Sequence, residues 1–125
     1  MLVSPIYDPH RHADELGLTV VYQPLRTGHG LYVPGRDIII LRPRLKAAVE
    51  RSVLAHEVAH HLHAHRRTTG VWSIRQERQA DLTAARNLID PARLRHAQRC
   101  SPDPAEWCRE LDITGDLLLA FLRAA

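Results

Sequence analysis

Five of the nine histidines of this 125-residue chain, His56, His60, His61, His63 and His65, fall within ten residues. Imidazole is the commonest metal ligand and the usual proton carrier near neutral pH, so this window constrains both fold and chemistry. Leu45, Val49, Val53, His56 and His60 recur at intervals of three or four, the period of one helix face. A helix is therefore expected after Arg42-Pro43, with Pro43 in its first turn, running to about His65. Within it, His56-Glu57-Val58-Ala59-His60 is H-E-x-x-H. The two histidines then sit about 40° apart and one turn apart in height. Both imidazoles can reach one zinc ion from the same side. Glu57 falls on the flank of that face, placed to take a proton from a water whose pKa the metal lowers towards about 7. This is an arrangement for metal-assisted hydrolysis of an amide.

Two histidines do not complete such a site; a third protein ligand is expected, with a position left open. His63 shares the face but lies about 10 Å along the axis from His56, and His61 and His65 are expected to point away. The following helix offers Glu77 and Asp81, four apart and on one face. Ala80, Ala84 and Ala85 leave that helix slim enough to approach closely. Either carboxylate could reach the metal. The longer Glu77 side chain crosses more easily between helices, giving a His₂Glu set, while Asp81 could accept the N–H of a ligand histidine and fix its tautomer.

The rest of the chain supplies a frame. A short helix is expected over residues 9–16, closed by Gly17. Residues 18–23 are rich in Val, Thr and Tyr and read as a strand ended by Pro24. Gly28–Gly30 reads as a loop. Residues 31–33 and 38–41 flank Pro34-Gly35-Arg36-Asp37, a tight-turn sequence that favours a hairpin. Residues 66–72 form a loop. Ser73 with Gln76 starts the next helix, which runs to about Ile89. Asp90-Pro91 and Asp103-Pro104 each start a further helix, and a last one covers residues 114–123. Helix, strands, then helices is an α+β order.

The segments "LAHEVAHHL" (54–62) and "ERQADLTAARNLI" (77–89) together resemble the ImmA/IrrE family of metallopeptidases, a gluzincin-like family with H-E-x-x-H followed by E-x-x-A-D. The upstream "GLTVVYQPL" and "HGLYVPGRDIIIL" also resemble the family's small sheet. The resemblance covers roughly residues 7–91. It implies a zincin-like fold: a small sheet, an active-site helix, a third-ligand helix and a helical C-terminal segment. It also implies that His56, His60 and Glu77 hold zinc, that Glu57 is the catalytic base and that Asp81 supports a ligand. Members cleave helix-turn-helix transcriptional repressors in phage, mobile-element and stress circuits, so a repressor is the expected substrate. The gap between His60 and Glu77 is short and no sensor domain follows, so regulation by a sensor module within this chain is not expected.

Length gives one domain, 1–125, with 91–125 as a helical extension. The longest apolar run, at 117–122, has six residues, which excludes a transmembrane helix. Residues 1–10 lack the pattern of a secretory signal, so a cytoplasmic protein is expected. A net charge of +3 permits an acidic partner without demanding one. Residues 106–122 have helix-turn-helix spacing, but Glu106, Glu110, Asp112 and Asp116 suit DNA phosphates poorly, so a packed helix pair without direct nucleic-acid contact is expected. Cys100 and Cys108, near His96, are expected to be unbound thiols. Tyr22 and Tyr32 should lie in the sheet beside the cleft, where either could donate to an oxyanion, although a core or edge role is favoured. An extended substrate should add along an edge of the sheet, with specificity in 31–41 and 66–72. The competing class is a zinc-containing regulator that binds a repressor or DNA with the same ligands and no need for Glu57.

Overall fold

The computed structural model describes residues 6–124. Its elements are α1 (Pro9–Glu15), β1 (Thr19–Tyr22), β2 (Gly30–Val33), β3 (Ile38–Leu41), α2 (Ala47–Leu62), α3 (Gly70–Leu88), α4 (Pro91–Cys100), α5 (Pro104–Leu111) and α6 (Gly115–Ala124). This is the expected α+β arrangement. Asp8, Asp90 and Asp103 each accept a hydrogen bond from the backbone N–H two residues on, with Pro in the first turn. The side chain satisfies an orphan donor and proline lacks the N–H that would otherwise go unpaired.

The three strands run in the order β1-β3-β2. β3 pairs parallel with β1 and antiparallel with β2, so β2 and β3 form the expected hairpin. Gly35 and Asp37 adopt positive φ, 79° and 54°, in the turn between them. β3 is covered on both edges, and Ile39 and Leu41 on its inner face are fully buried. β2 is an edge strand and lies very close to α2. An added Cβ at Gly30 would stand 2.6 Å from Val53 Cγ1 and 3.1 Å from Leu41 Cδ2.

Several boundaries differ from the sequence reading. β2 begins at Gly30, which was expected in the loop. α2 begins at Ala47, and Pro43 lies outside it. The Arg42 N–H is bound to His29 O at 2.8 Å and its guanidinium to Leu25 O at 2.8 Å, which holds the chain against the sheet, and Arg44 then takes a left-handed φ of 61°. α2 ends at Leu62 because Ala64 is also left-handed, φ 53°. α3 starts at Gly70, a turn before Ser73. Gly70 supplies a φ of 64°, and the Arg75 guanidinium packs 5.3 Å above the Trp72 ring, an i,i+3 contact that favours this extra turn.

Two apolar clusters flank α2. On the sheet side Leu54 and Val58 meet Ala13, Leu18, Ile39 and Leu41; on the other, Ala55 meets Ala84, Ala85, Leu88, Leu111, Ile113, Leu117 and Leu118. Ala80, Ala84 and Ala85 are fully buried, so α3 has the slim face expected of it. Residues of α5, α6 and the turn between them belong to this second cluster, as a packed helix pair should. Cys100 and Cys108 are free. Among the described residues no helix is long and apolar enough to cross a membrane.

The β2–α2 contact generates a prediction. Val53 is β-branched and stiff in a helix, so it cannot swing away from a Cβ at position 30. Gly30→Ala should lose about 1–3 kcal/mol in urea unfolding, as overpacked cores do. Gly115→Ala, where nothing lies within 4 Å of the added Cβ, should leave stability unchanged or raise it.

Candidate metal centre

One face of α2 presents His56 and His60, whose Nε2 atoms lie 3.0 Å apart. From α3, Glu77 brings Oε2 to 2.7 Å from His56 Nε2 and Oε1 to 3.3 Å from His60 Nε2. Asp81, one turn further along α3, places Oδ1 2.8 Å from His56 Nδ1. Glu57 is buried, and its Oε1 accepts the backbone N–H of Tyr32 on β2 at 2.9 Å. A Glu57 oxygen also lies within 4.8 Å of the ligating atoms of His56 and His60. Glu77 thus touches the two imidazole nitrogens, whereas Glu57 stands back and is tied to the sheet.

The donor chemistry fits a cation. The ionised Asp81 carboxylate only accepts, so His56 carries a proton on Nδ1. Its Nε2, His60 Nε2 and the Glu77 carboxylate then face one another, and three acceptors so close repel unless positive charge lies among them. In the metal-free protein a proton on His56 Nε2 can serve; a metal ion among these atoms would serve the same purpose. Burial opposes charge on His56, but hydrogen bonds to Asp81 and Glu77 outweigh it and push its pKa up to about 10. The imidazoles of His56 and His60 beside it, His56 foremost, hold the Glu77 carboxyl well below the usual carboxylate range. Burial raises the pKa of Glu57, an effect offset in part by the neighbouring His56 and His60 and by the Tyr32 N–H.

The sequence profile of the IrrE N-terminal-like domain, peptidase family M78, matches residues 13–111. The chain belongs to this family. A search of the curated proteins found no match. The family match continues beyond residue 91, where the resemblance in the sequence fades, and reaches the end of α5.

In this M78 domain, the remaining members of the histidine cluster are engaged elsewhere with one exception. His61 Nδ1 lies 3.0 Å from the Tyr32 hydroxyl and His63 Nε2 lies 2.6 Å from Thr83 Oγ1. His65 does not point away, as its helical position implied. It is buried, with Nδ1 2.8 Å from His60 Nδ1, because the chain has left the helix before reaching it. The Tyr32 hydroxyl is taken by His61, and the part of Tyr32 that serves the site is its backbone N–H, which side-chain chemistry does not reveal. Tyr22 sits on β1, at the opposite edge of the sheet from β2. The cleft is lined by Leu31, Tyr32, Val33 and Pro34 on one side and by Arg66, Arg67 and Thr68 on another. β3 is a central strand and Trp72 lies outside that lining, so only part of residues 31–41 and 66–72 borders the cleft.

The proton on His56 competes with any metal. Its folded pKa of about 10 lies above the ordinary value near 6.5. The stabilisation it gives the metal-free protein is therefore complete below about pH 6.5, declines as pH rises and is gone above about 10. Metal uptake must displace that proton. Calorimetry at pH 7 in buffers of different ionisation enthalpy should show about one proton released at His56 per metal bound. The apparent affinity should rise with pH towards about 10; pH-independent affinity would contradict a protonated His56.

Proposed function

We propose that the chain is a zinc-dependent metalloendopeptidase, a single domain of residues 1–125 in which 91–125 form a helical extension. The observation that carries this reading is the convergence of two imidazole nitrogens and a carboxylate from neighbouring helices, with a second, buried carboxylate beside them and an open strand edge next to it. In this reading His56, His60 and Glu77 hold the metal, Glu57 is the base and Asp81 supports His56. Two imidazoles and one carboxylate make a donor set suited to catalytic zinc.

Zinc, when bound, supplies Lewis-acid polarisation of the scissile carbonyl and acidifies the attacking water. Glu57 accepts the water proton at the oxygen left free by the Tyr32 N–H and delivers it to the leaving amide nitrogen. Burial makes Glu57 a stronger base than a surface carboxylate, and the hydrogen bond from β2 holds it in one orientation. An extended peptide adds antiparallel or parallel to β2, the sheet edge on the cleft, with backbone hydrogen bonds giving grip and side-chain pockets giving choice. The substrate in this reading is a helix-turn-helix transcriptional repressor of a phage, mobile-element or stress-response circuit, cleaved in the cytoplasm. The resemblance to ImmA/IrrE proteins supports that substrate.

Glu57→Gln separates a peptidase from a regulator that only contains zinc. It should keep the fold and one zinc, yet lose cleavage of repressors from the same genome by about 10²–10⁴-fold, as loss of a general base does. Intact-mass analysis of the digests reads the result. Equal cleavage by parent and variant would exclude Glu57 as the base, and zinc binding with no cleavage by either would favour the regulator.

The two carboxylates of α3 are distinguished by affinity. Glu77→Ala should lose most zinc binding in chelator competition, while Asp81→Ala should weaken it on the order of 10–100-fold. The reverse ranking would place Asp81 on the metal.

A further inference from the structure

Asp81 settles the tautomer of His56, but among the described residues no carboxylate is bonded to the Nδ1 of His60. Its partner is His65 Nδ1, 2.8 Å away. Two nitrogens in such contact must be one donor and one acceptor, and a neutral imidazole has one of each. On its other side His65 Nε2 lies 2.7 Å from Gln79 Oε1. A carbonyl oxygen only accepts, so the proton of neutral His65 is on Nε2 and its Nδ1 is a lone pair. His60 Nδ1 must then donate, which leaves His60 Nε2 as a lone pair facing His56 Nε2 and Glu77. His60 and His65 are 9% and 8% exposed, so water does not compete freely for the contact.

We propose that His65, backed by Gln79, is a positioning residue that fixes the proton of His60 on Nδ1 and so keeps its Nε2 free to bind metal. The proposal rests on the reading of this site as a metal centre. The backbone builds the relay. Ala64 N–H bonds to His61 O at 3.0 Å and His65 N–H to His60 O at 2.9 Å, with Ala64 left-handed. That is a Schellman termination, in which the second residue beyond the helix cap folds back over the last turn, commonly with an apolar contact. Here a hydrogen bond between two imidazoles takes that place. Ala64 accepts the αL conformation without glycine, against the steric preference of a residue with a Cβ, and the returning chain delivers His65 to its partner.

Zinc affinity by chelator competition, with ¹⁵N imidazole spectra of the zinc-loaded parent, tests the relay. His65→Leu should weaken zinc on the order of 10–100-fold, as loss of a ligand's supporting hydrogen bond does. His65→Gln, whose carbonyl oxygen can accept from His60 Nδ1, should recover most of that loss. A packing role predicts the opposite order, because Leu fills a buried site with no polar group to satisfy. The spectra should show the proton of His60 on Nδ1 and that of His65 on Nε2; they decide the matter even if His65→Leu does not fold. Equal affinity of the parent and His65→Leu, or a proton on His65 Nδ1, would overturn the relay alone. A parent that takes up no zinc would overturn the metal reading and the relay with it.

Discussion

Two imidazole nitrogens and a carboxylate meet within 3.3 Å, and the architecture depends on holding these electron-rich groups together around one positive charge. α2 supplies two of them and cannot move: Leu54 and Val58 are locked into the sheet-side cluster and Ala55 into the helical one. α3 supplies the third, brought near by fully buried alanines rather than by large side chains. The C-terminal helices complete the clamp. Arg51 of α2 donates to the carbonyls of Leu111 and Asp112 at 3.1 Å, and Ser52 Oγ accepts the N–H of Thr114 at 3.1 Å. Both contacts fasten the α5–α6 turn to the helix that carries the histidines.

Hydrogen bonding and burial then differentiate groups of the same chemical type. Glu57, Glu77 and Asp81 are all carboxylates near one point. Glu77 is half exposed and held strongly acidic by His56 and His60. Glu57 is buried, with its acidity weakened by its surroundings and one oxygen bound to the sheet. In the proposed reading this separates a ligand, Glu77, from a base, Glu57, without any difference in side-chain length.

Much of this was legible in the sequence because it depends on period and end signals. The spacing of His56 and His60 and that of Glu77 and Asp81 put each pair on a single helix face, and the Asp-Pro starts of α4 and α5 state their caps outright. The slim alanine face of α3 was readable too. The rest depends on backbone reversal and on main-chain groups. Nothing in Arg44 or Ala64 announces a left-handed φ, so the start of α2 was placed too early, its end too late, and His65 was assigned a helical direction. The Tyr32 N–H is a property of strand position, and the extra first turn of α3 comes from Gly70 and a local Arg75–Trp72 contact, at residues where the sequence reads as a loop up to Trp72. Gly30 reads as part of a loop, whereas it marks a close approach of strand β2 to helix α2.

The three residues after His65 line the cleft. Arg66, Arg67 and Thr68 therefore share a short stretch of chain with a side chain hydrogen-bonded to His60. In the proposed peptidase reading, with His65 positioning His60, this makes selectivity and metal retention dependent variables. On that reading, exchanging or lengthening this loop to admit another peptide would also shift the tether on His65, so libraries built here would need metal occupancy measured alongside turnover.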